Sequence, residues 1–190
     1  MLPTDTRAPD RNDTGLDEIR WLHTLGPTGT NLENAAHDWF ARRGTPGEVV
    51  LHPSLESAME TVPATGEHAL VACAVYPDLH TLTFSNLGRL AMVDSFLMPT
   101  HNMVLAARSD APPSTVSTHP APAGLVPPEA TRRIVLSNSQ AAIDCASGIT
   151  DGCVTTAVAA RAQGLRTLRD FGPVPMVFTV HRLLPAGDAR

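Results

Sequence analysis

Apolar positions along the chain change spacing repeatedly, and each change marks an element. Leu32, Ala35, Ala36, Trp39 and Phe40 recur three and four residues apart, which predicts a helix after Thr30 that ends at Arg42-Arg43-Gly44. Leu55, Ala58, Met59 and Val62 repeat that period behind Ser54 and stop at Pro63, predicting a second, shorter helix. Between and around them lie short apolar runs over 19–25, 49–51 and 69–75, the last one continuous, as in a buried parallel strand. Strand, helix, strand, helix, strand within one stretch predicts an α/β lobe with right-handed crossovers. Over 76–86 the periodicity fails, and no element is expected there. Residues 87–107 are β-like but broken at Met98-Pro99-Thr100-His101, which predicts a strand pair that leaves the first lobe and enters a second.

The plan then repeats. Strands are expected over 114–118, 134–136, 153–155, 165–170 and 174–181, with helices from Ser137 to Gly148 and from Thr156 to Gly164. Four prolines between 120 and 128 leave room only for a short helix. The expected organisation is a lead-in over 1–18, lobe 1 over 19–92 plus 170–184, lobe 2 over 93–169, and a tail over 185–190. No sequence repeat accompanies the architectural echo.

Composition narrows the function classes. The formal net charge is −5 and the pI near 5.8, which argues against a nucleic-acid or anionic-membrane surface. All 14 basic residues are arginine, so Schiff-base chemistry and a phosphate-loop lysine are excluded, whereas arginine suits planar carboxylates. Cys73, Cys145 and Cys153 are widely spaced, without C-x-x-C, and fit a reducing compartment. The first residues lack the apolar run of a signal peptide and no run is long enough to span a bilayer, so a cytoplasmic protein is expected. No clustered Cys/His pattern points to a metal and no G-x-S-x-G elbow to a serine hydrolase.

Two stretches have chemistry built into their spacing. Gly26-Pro27-Thr28-Gly29-Thr30 joins a strand to a helix, and Thr30-x-x-Glu33 is a capping-box pattern. The free N–H groups and positive dipole end of such a helix suit a small anion. Ser137-x-x-Gln140 repeats the pattern in the second lobe. Two polar helix N-termini facing one cleft suit a ligand with two acidic groups.

Leu25-Gly26-Pro27-Thr28-Gly29-Thr30 with Ala35-Ala36, Thr118-His119-Pro120, and Ser137-Asn138-Ser139-Gln140-Ala141-Ala142 together resemble, in order and spacing, the prephenate dehydratase family. The resemblance runs over about residues 22–182 and implies a two-lobed, periplasmic-binding-protein type II-like α/β fold that binds prephenate, a dicarboxylate, between its lobes. The dehydratases' Thr-Arg-Phe triplet is replaced by Met176-Val177-Phe178, and their Glu-Asn-Ser segment by residues around Ala72-Cys73. Neither Met nor Val can donate a proton. The Pro-Met pair and Gly-Pro-x-Gly-Thr opening are similar to the prephenate decarboxylases of bacilysin-type pathways, which keep the ring hydroxyl. No regulatory ACT domain is expected to follow.

The expected reaction is loss of carbon dioxide from prephenate without aromatisation, with no cofactor, because the ring's own unsaturation takes up the electrons. A general acid must protonate a ring carbon while donors stay away from the hydroxyl. His80 and His101 are the candidate acids, with Asp78 and Asp94 as possible relay partners. Thr28, Gly29, Thr30 and Asn31 are expected to bind one carboxylate; Thr118, His119, Ser137, Asn138 and Ser139 the other end; Met176 and Phe178 would flank the ring. Arg89, Arg108 and Arg132 are candidate carboxylate partners. The resemblance also implies a homodimer. A dehydratase or isomerase acting on a related cyclohexadienyl acid, and a non-catalytic binding module, remain as alternatives.

Overall fold

A computed structural model describes residues 15–185. Lobe 1 is built on a five-stranded sheet of β1 (Trp21–Leu25), β2 (Glu48–His52), β3 (His68–Cys73), β4 (Leu90–Pro99) and β10 (Pro175–Leu183), ordered β2-β1-β3-β10-β4. The first three strands run parallel and β10 and β4 antiparallel to their neighbours. Lobe 2 is a second five-stranded sheet of β5 (Met103–Ala107), β6 (Thr115–Thr118), β7 (Thr131–Ile134), β8 (Gly152–Thr156) and β9 (Arg166–Gly172), ordered β7-β6-β8-β5-β9. The architecture is the two-lobed α/β fold expected from the sequence.

The helical stripe read from the sequence is the buried face of α1 (Asn31–Arg43), which packs Leu32, Ala35, Trp39 and Phe40 on Ile19, Leu22, Val71, Phe178 and Val180. Gly44 closes it at φ 62°, a conformation that costs glycine nothing. On the other face of the sheet lie α2 (Leu55–Thr61) and α3 (Leu79–Phe84), whose Leu55, Met59 and Leu82 meet Leu70, Leu90 and Leu183. In lobe 2, α4 (Asn138–Ala146) and α5 (Ala157–Ala162) cover one face through Ala141, Ala142, Cys145 and Ala160 against Val104 and Cys153. The opposite face is closed by Leu125, Val126 and Ala130.

Several expectations need correction. The stretch after β3 contains α3, a six-residue helix with only Leu82 buried, too short and too rich in Thr to show a period. The strand expected at 134–136 lies earlier, at β7, and is polar and exposed because it is a sheet edge paired only to β6. Leu136 is 92% exposed rather than core. The expected lobe boundaries at 92/93 and 169/170 fall inside β4 and β9; the chain changes sheets at 100–102 and 173–174, after each strand finishes pairing. Of the expected lead-in, 1–14 lie outside the described residues, but Leu16–Glu18 form a 3-10 turn, and Glu18 pairs with Arg182. Of the expected tail, 186–190 likewise lie outside the described residues.

Candidate functional site

The carboxyl ends of the parallel strands in both sheets face the two crossovers, so the loops beyond β1, β2, β6 and β8 meet there. Open α/β sheets bind ligands at such ends. The crossovers are tied to one another: Thr100 N donates to Val174 O at 2.9 Å, and Val174 N to Thr100 Oγ1 at 3.0 Å. The first crossover is also strapped to two helix starts, His101 N to Asn31 Oδ1 at 2.9 Å and Ala157 N to Asn102 O at 2.8 Å. A cavity of about 420 Å³ opens between the lobes, with Leu25, Gly26, Pro27, Leu51, His52 and Pro53 on one side and Leu136 and Ser137 on the other. That volume suits a small metabolite.

The Gly26–Gly29 loop has the backbone the sequence called for. Gly26 N donates to His52 O at 2.8 Å, which closes the loop on the end of β2, and Gly29 has φ 86°. Thr30 Oγ1 accepts from Glu33 N at 3.2 Å as the α1 cap. The reciprocal half of the capping box is displaced by one residue: Glu33 Oε2 accepts from Gly29 N. The loop therefore carries a carboxylate of its own, which weakens it as a cradle for a second one. Asn31 commits Oδ1 to His101, so its amide nitrogen is the group left for a ligand.

In lobe 2, Ser137 Oγ caps α4 by accepting from Gln140 N at 3.0 Å, while the Gln140 side chain turns to Asp144 instead of returning to Ser137. The reciprocal bond of a capping box is absent here too. Asn138 Oδ1 is buried with no hydrogen-bond partner among the described residues, an acceptor that a ligand hydroxyl or N–H would satisfy. Thr118 is buried and donates to His119 O at 3.0 Å, and His119 Nδ1 accepts from Ala121 N at 3.2 Å. Burial pushes His119 below its ordinary value. Ser139 is half-buried on the first turn of α4.

The two expected acids stand apart. His101 is half-buried in the first crossover, beside the α1 start. His80 is exposed on α3, and neither ring is part of the cavity wall. Asp94 is taken by Trp39 Nε1 at 2.8 Å, and Asp78 is exposed at the start of α3. Met176 is half-buried near the cleft end of β10, paired with Met98. Phe178, expected against the substrate, is 0% exposed and stacks on Phe96 at 5.8 Å inside the lobe 1 core. It shares a face of β10 with Met176, the face turned to the lobe 1 core, but lies one step deeper from the cleft end, so it supports the site rather than touching a ligand.

None of the three candidate arginines reaches the cleft. Arg89 precedes Leu90, at the end of the sheet remote from the crossovers, and its guanidinium donates to Met59 O. Arg108 follows Ala107, opposite the amino end of β8, and is held by Cys145 O and Thr150 O. Arg132 lies exposed on the edge strand β7.

A row of histidines was not anticipated from the sequence. His52 on the cavity wall contacts His23, and His23 contacts His68, each at 2.9 Å. The one sequence signal was His23 itself, an ionisable residue in the middle of the short strand Trp21–Leu25.

Relatives bear on what such a cleft does. The chain is 26% identical to a prephenate decarboxylase of Bacillus subtilis strain 168, over 95% of this chain and 94% of that protein. The chain resembles prephenate decarboxylases. Among solved structures it is similar to a prephenate dehydratase from Arthrobacter aurescens in complex with L-Phe, with TM-score 0.63 and 19% identity, covering 87% of this chain. It spans only 61% of that dehydratase chain. A periplasmic substrate-binding protein from Coxiella burnetii is similar at TM-score 0.54 and 14% identity, over 86% of this chain and 84% of that one. No protein-family model matches. The expected resemblance thus holds over nearly the full length, and the fold is shared with dehydratases and type II-like binding proteins.

Proposed function

We propose that the protein decarboxylates prephenate without aromatising it, giving a dihydro-4-hydroxyphenylpyruvate. The observation that carries this reading is similarity to a prephenate decarboxylase along 95% of the chain, with a cavity of metabolite size between the lobes. In the reaction the bond from the quaternary ring carbon to its carboxylate breaks. The electron pair enters the ring diene, and a ring carbon takes up one proton. The 4-hydroxyl survives only if no acid reaches it. Met176, standing where the dehydratases place a hydroxyl donor, supports that outcome.

The N-termini of α1 and α4 are the proposed carboxylate contacts, through Asn31 Nδ2, the Thr28 and Thr30 N–H groups that Glu33 leaves unused, Ser137 and Ser139. Asn138 Oδ1 would accept from the substrate hydroxyl. Three free, buried cysteines support a reducing, cytoplasmic setting. The homodimer and a role in antibiotic-type biosynthesis belong to the same proposal. Among the described residues, no helix is long and apolar enough to cross a membrane.

Incubation of the purified protein with prephenate tests the reading. Carbon dioxide with a non-aromatic product supports it. Phenylpyruvate would replace it with the dehydratase alternative, and thermal stabilisation without turnover with the binding-module one. Absence of both binding and turnover at millimolar prephenate would remove prephenate altogether.

A further inference from the structure

His52, His23 and His68 sit side by side on β2, β1 and β3. His52 Nε2 lies 2.9 Å from His23 Nδ1, and His23 Nε2 lies 2.9 Å from His68 Nδ1. Each contact needs one N–H and one lone pair, so the tautomer of one ring sets that of the next. His68 is steadied by stacking on Trp21 at 4.6 Å, with 14° between the ring planes. His23 is 5% exposed, and a buried ring between two imidazoles stays neutral. The far end of the row is His52, which lines the cavity opposite Leu136 and Ser137.

We infer that His52 is the proton donor of the decarboxylation, held in one orientation and one tautomer by His23 and, behind it, His68. The inference rests on the decarboxylase reading. With His52 Nε2–H donating to His23 Nδ1, and His23 Nε2–H donating to His68 Nδ1, the nitrogen left to His52 for the cavity is Nδ1. Protonated there, His52 carries one positive charge. As the bond to the departing carboxylate breaks and its electron pair enters the diene, the ring carbon takes the Nδ1 proton. Carbon dioxide leaves, and His52 returns to neutral with its bond to His23 unchanged. Solvent then restores one proton to Nδ1, matching the one consumed. A carboxylate partner would raise the basicity of His52 and hold its proton back; a neutral imidazole orients the ring without that cost. Burial also lowers the pKa of His52, which makes it the stronger acid.

The full-length protein with prephenate is the test system. His52→Gln and His52→Ala are expected to lower kcat by about 10²–10⁴ with KM changed less than about threefold, and added imidazole to rescue His52→Ala. His23 is a positioning residue: His23→Leu is expected to lower kcat about tenfold or more at nearly constant KM, with His23→Asn, whose amide can accept from His52, retaining more. Nitrogen-15 spectra of the wild-type protein across pH need no variant, and are expected to show that Nε2 keeps its proton in both charge states of His52 while Nδ1 gains and loses the titrating one. The opposite tautomer would overturn the inference. So would wild-type turnover in both His52 variants, or a folded His52→Ala that loses activity and gains nothing from imidazole; in each case wild-type carbon dioxide release leaves the decarboxylase reading standing. A wild-type protein inert towards prephenate removes the reading, and the inference with it.

Discussion

Each lobe buries a polar network, and the two are built from opposite chemistry. Lobe 1 uses three imidazoles that hydrogen-bond to one another. Lobe 2 uses one carboxylate: Asp144, 2% exposed, accepts from Gln140 Nε2 at 2.7 Å, Arg133 Nε at 2.9 Å and Ser117 Oγ at 3.3 Å. Burial alone would push the Asp144 carboxyl up, but bonds from Gln140 and Arg133, the Arg133 charge and Ser117 outweigh it and hold the group below its ordinary value. It stays ionised through the neutral range and joins α4 to β6 and β7. His23 is held the other way: burial first, then His52 and His68, push it down to about 4, and it stays neutral. Lobe 2 therefore spends its buried polarity on a fixed charge that anchors a helix, while lobe 1 keeps groups that can exchange a proton and brings one of them to the cavity.

Cutting the lobe 2 network is expected to cost the most. Asp144→Ala leaves Gln140, Ser117 and part of Arg133 without their acceptor, and a loss of about 3 kcal/mol in urea unfolding is expected. A loss below about 1 kcal/mol would mean that the network does not anchor α4. The Asp144 contribution is present above its unfolded pKa of 3.8 and lost as pH falls below it.

The lobe 1 network shows itself through pH instead. His23 is neutral in the folded protein down to about 4 but titrates near 6.5 once unfolded. Above 6.5 both states are neutral and stability is flat; between 6.5 and about 4 only the unfolded state takes up the proton, so stability falls with pH. The shift corresponds to roughly 3 kcal/mol over that window. Urea unfolding at a series of pH values is expected to show this slope, and His23→Leu to flatten it. An unchanged slope in the variant would assign the acid sensitivity elsewhere.

The helix caps separate the lobes less. Thr30 Oγ1 both caps α1 and donates to Leu25 O at 3.2 Å, whereas Ser137 Oγ caps α4 through one bond. Thr30→Ala is expected to cost about 1–2 kcal/mol and Ser137→Ala about 1 kcal/mol, measured by thermal unfolding. Equal costs would show that the tie to Leu25 adds nothing.

What the sequence could convey follows the same division between local and distant. The α1 stripe, its Thr30 cap and the Gly44 stop are all set within one turn of the residues that carry them, and they appear where expected. The second halves of both capping boxes go to other partners only four residues away, Glu33 to Gly29 N and Gln140 to Asp144; the box pattern does not choose between such local partners, and Asp144 is held in place by Ser117 and Arg133 from other strands. Ile134 and Leu136 look like core from their hydrophobicity, yet an edge strand leaves Leu136 on the cavity rim. The histidine row joins residues 29 and 45 positions apart, and only the parallel register of β2, β1 and β3 aligns them. The resemblance put Phe178 beside the ligand, whereas its ring lies in the lobe 1 core against Phe96.

The smallest change in stability, and a direct probe of the cleft, is expected at Leu136. It is the apolar rim of lobe 2 facing His52 and Pro53 of lobe 1, and at 92% exposure its side chain contributes little to folding. Leu136→Asp is therefore expected to change stability by less than about 0.5 kcal/mol. A carboxylate there repels an acidic ligand across a partly desolvated gap, so KM for prephenate is expected to rise about tenfold or more, most strongly at low ionic strength. Leu136→Asn, similar in size and uncharged, is expected to raise it much less. Equal effects of the two would trace the loss to shape alone, and no effect of either would move the ligand out of this cavity and away from His52.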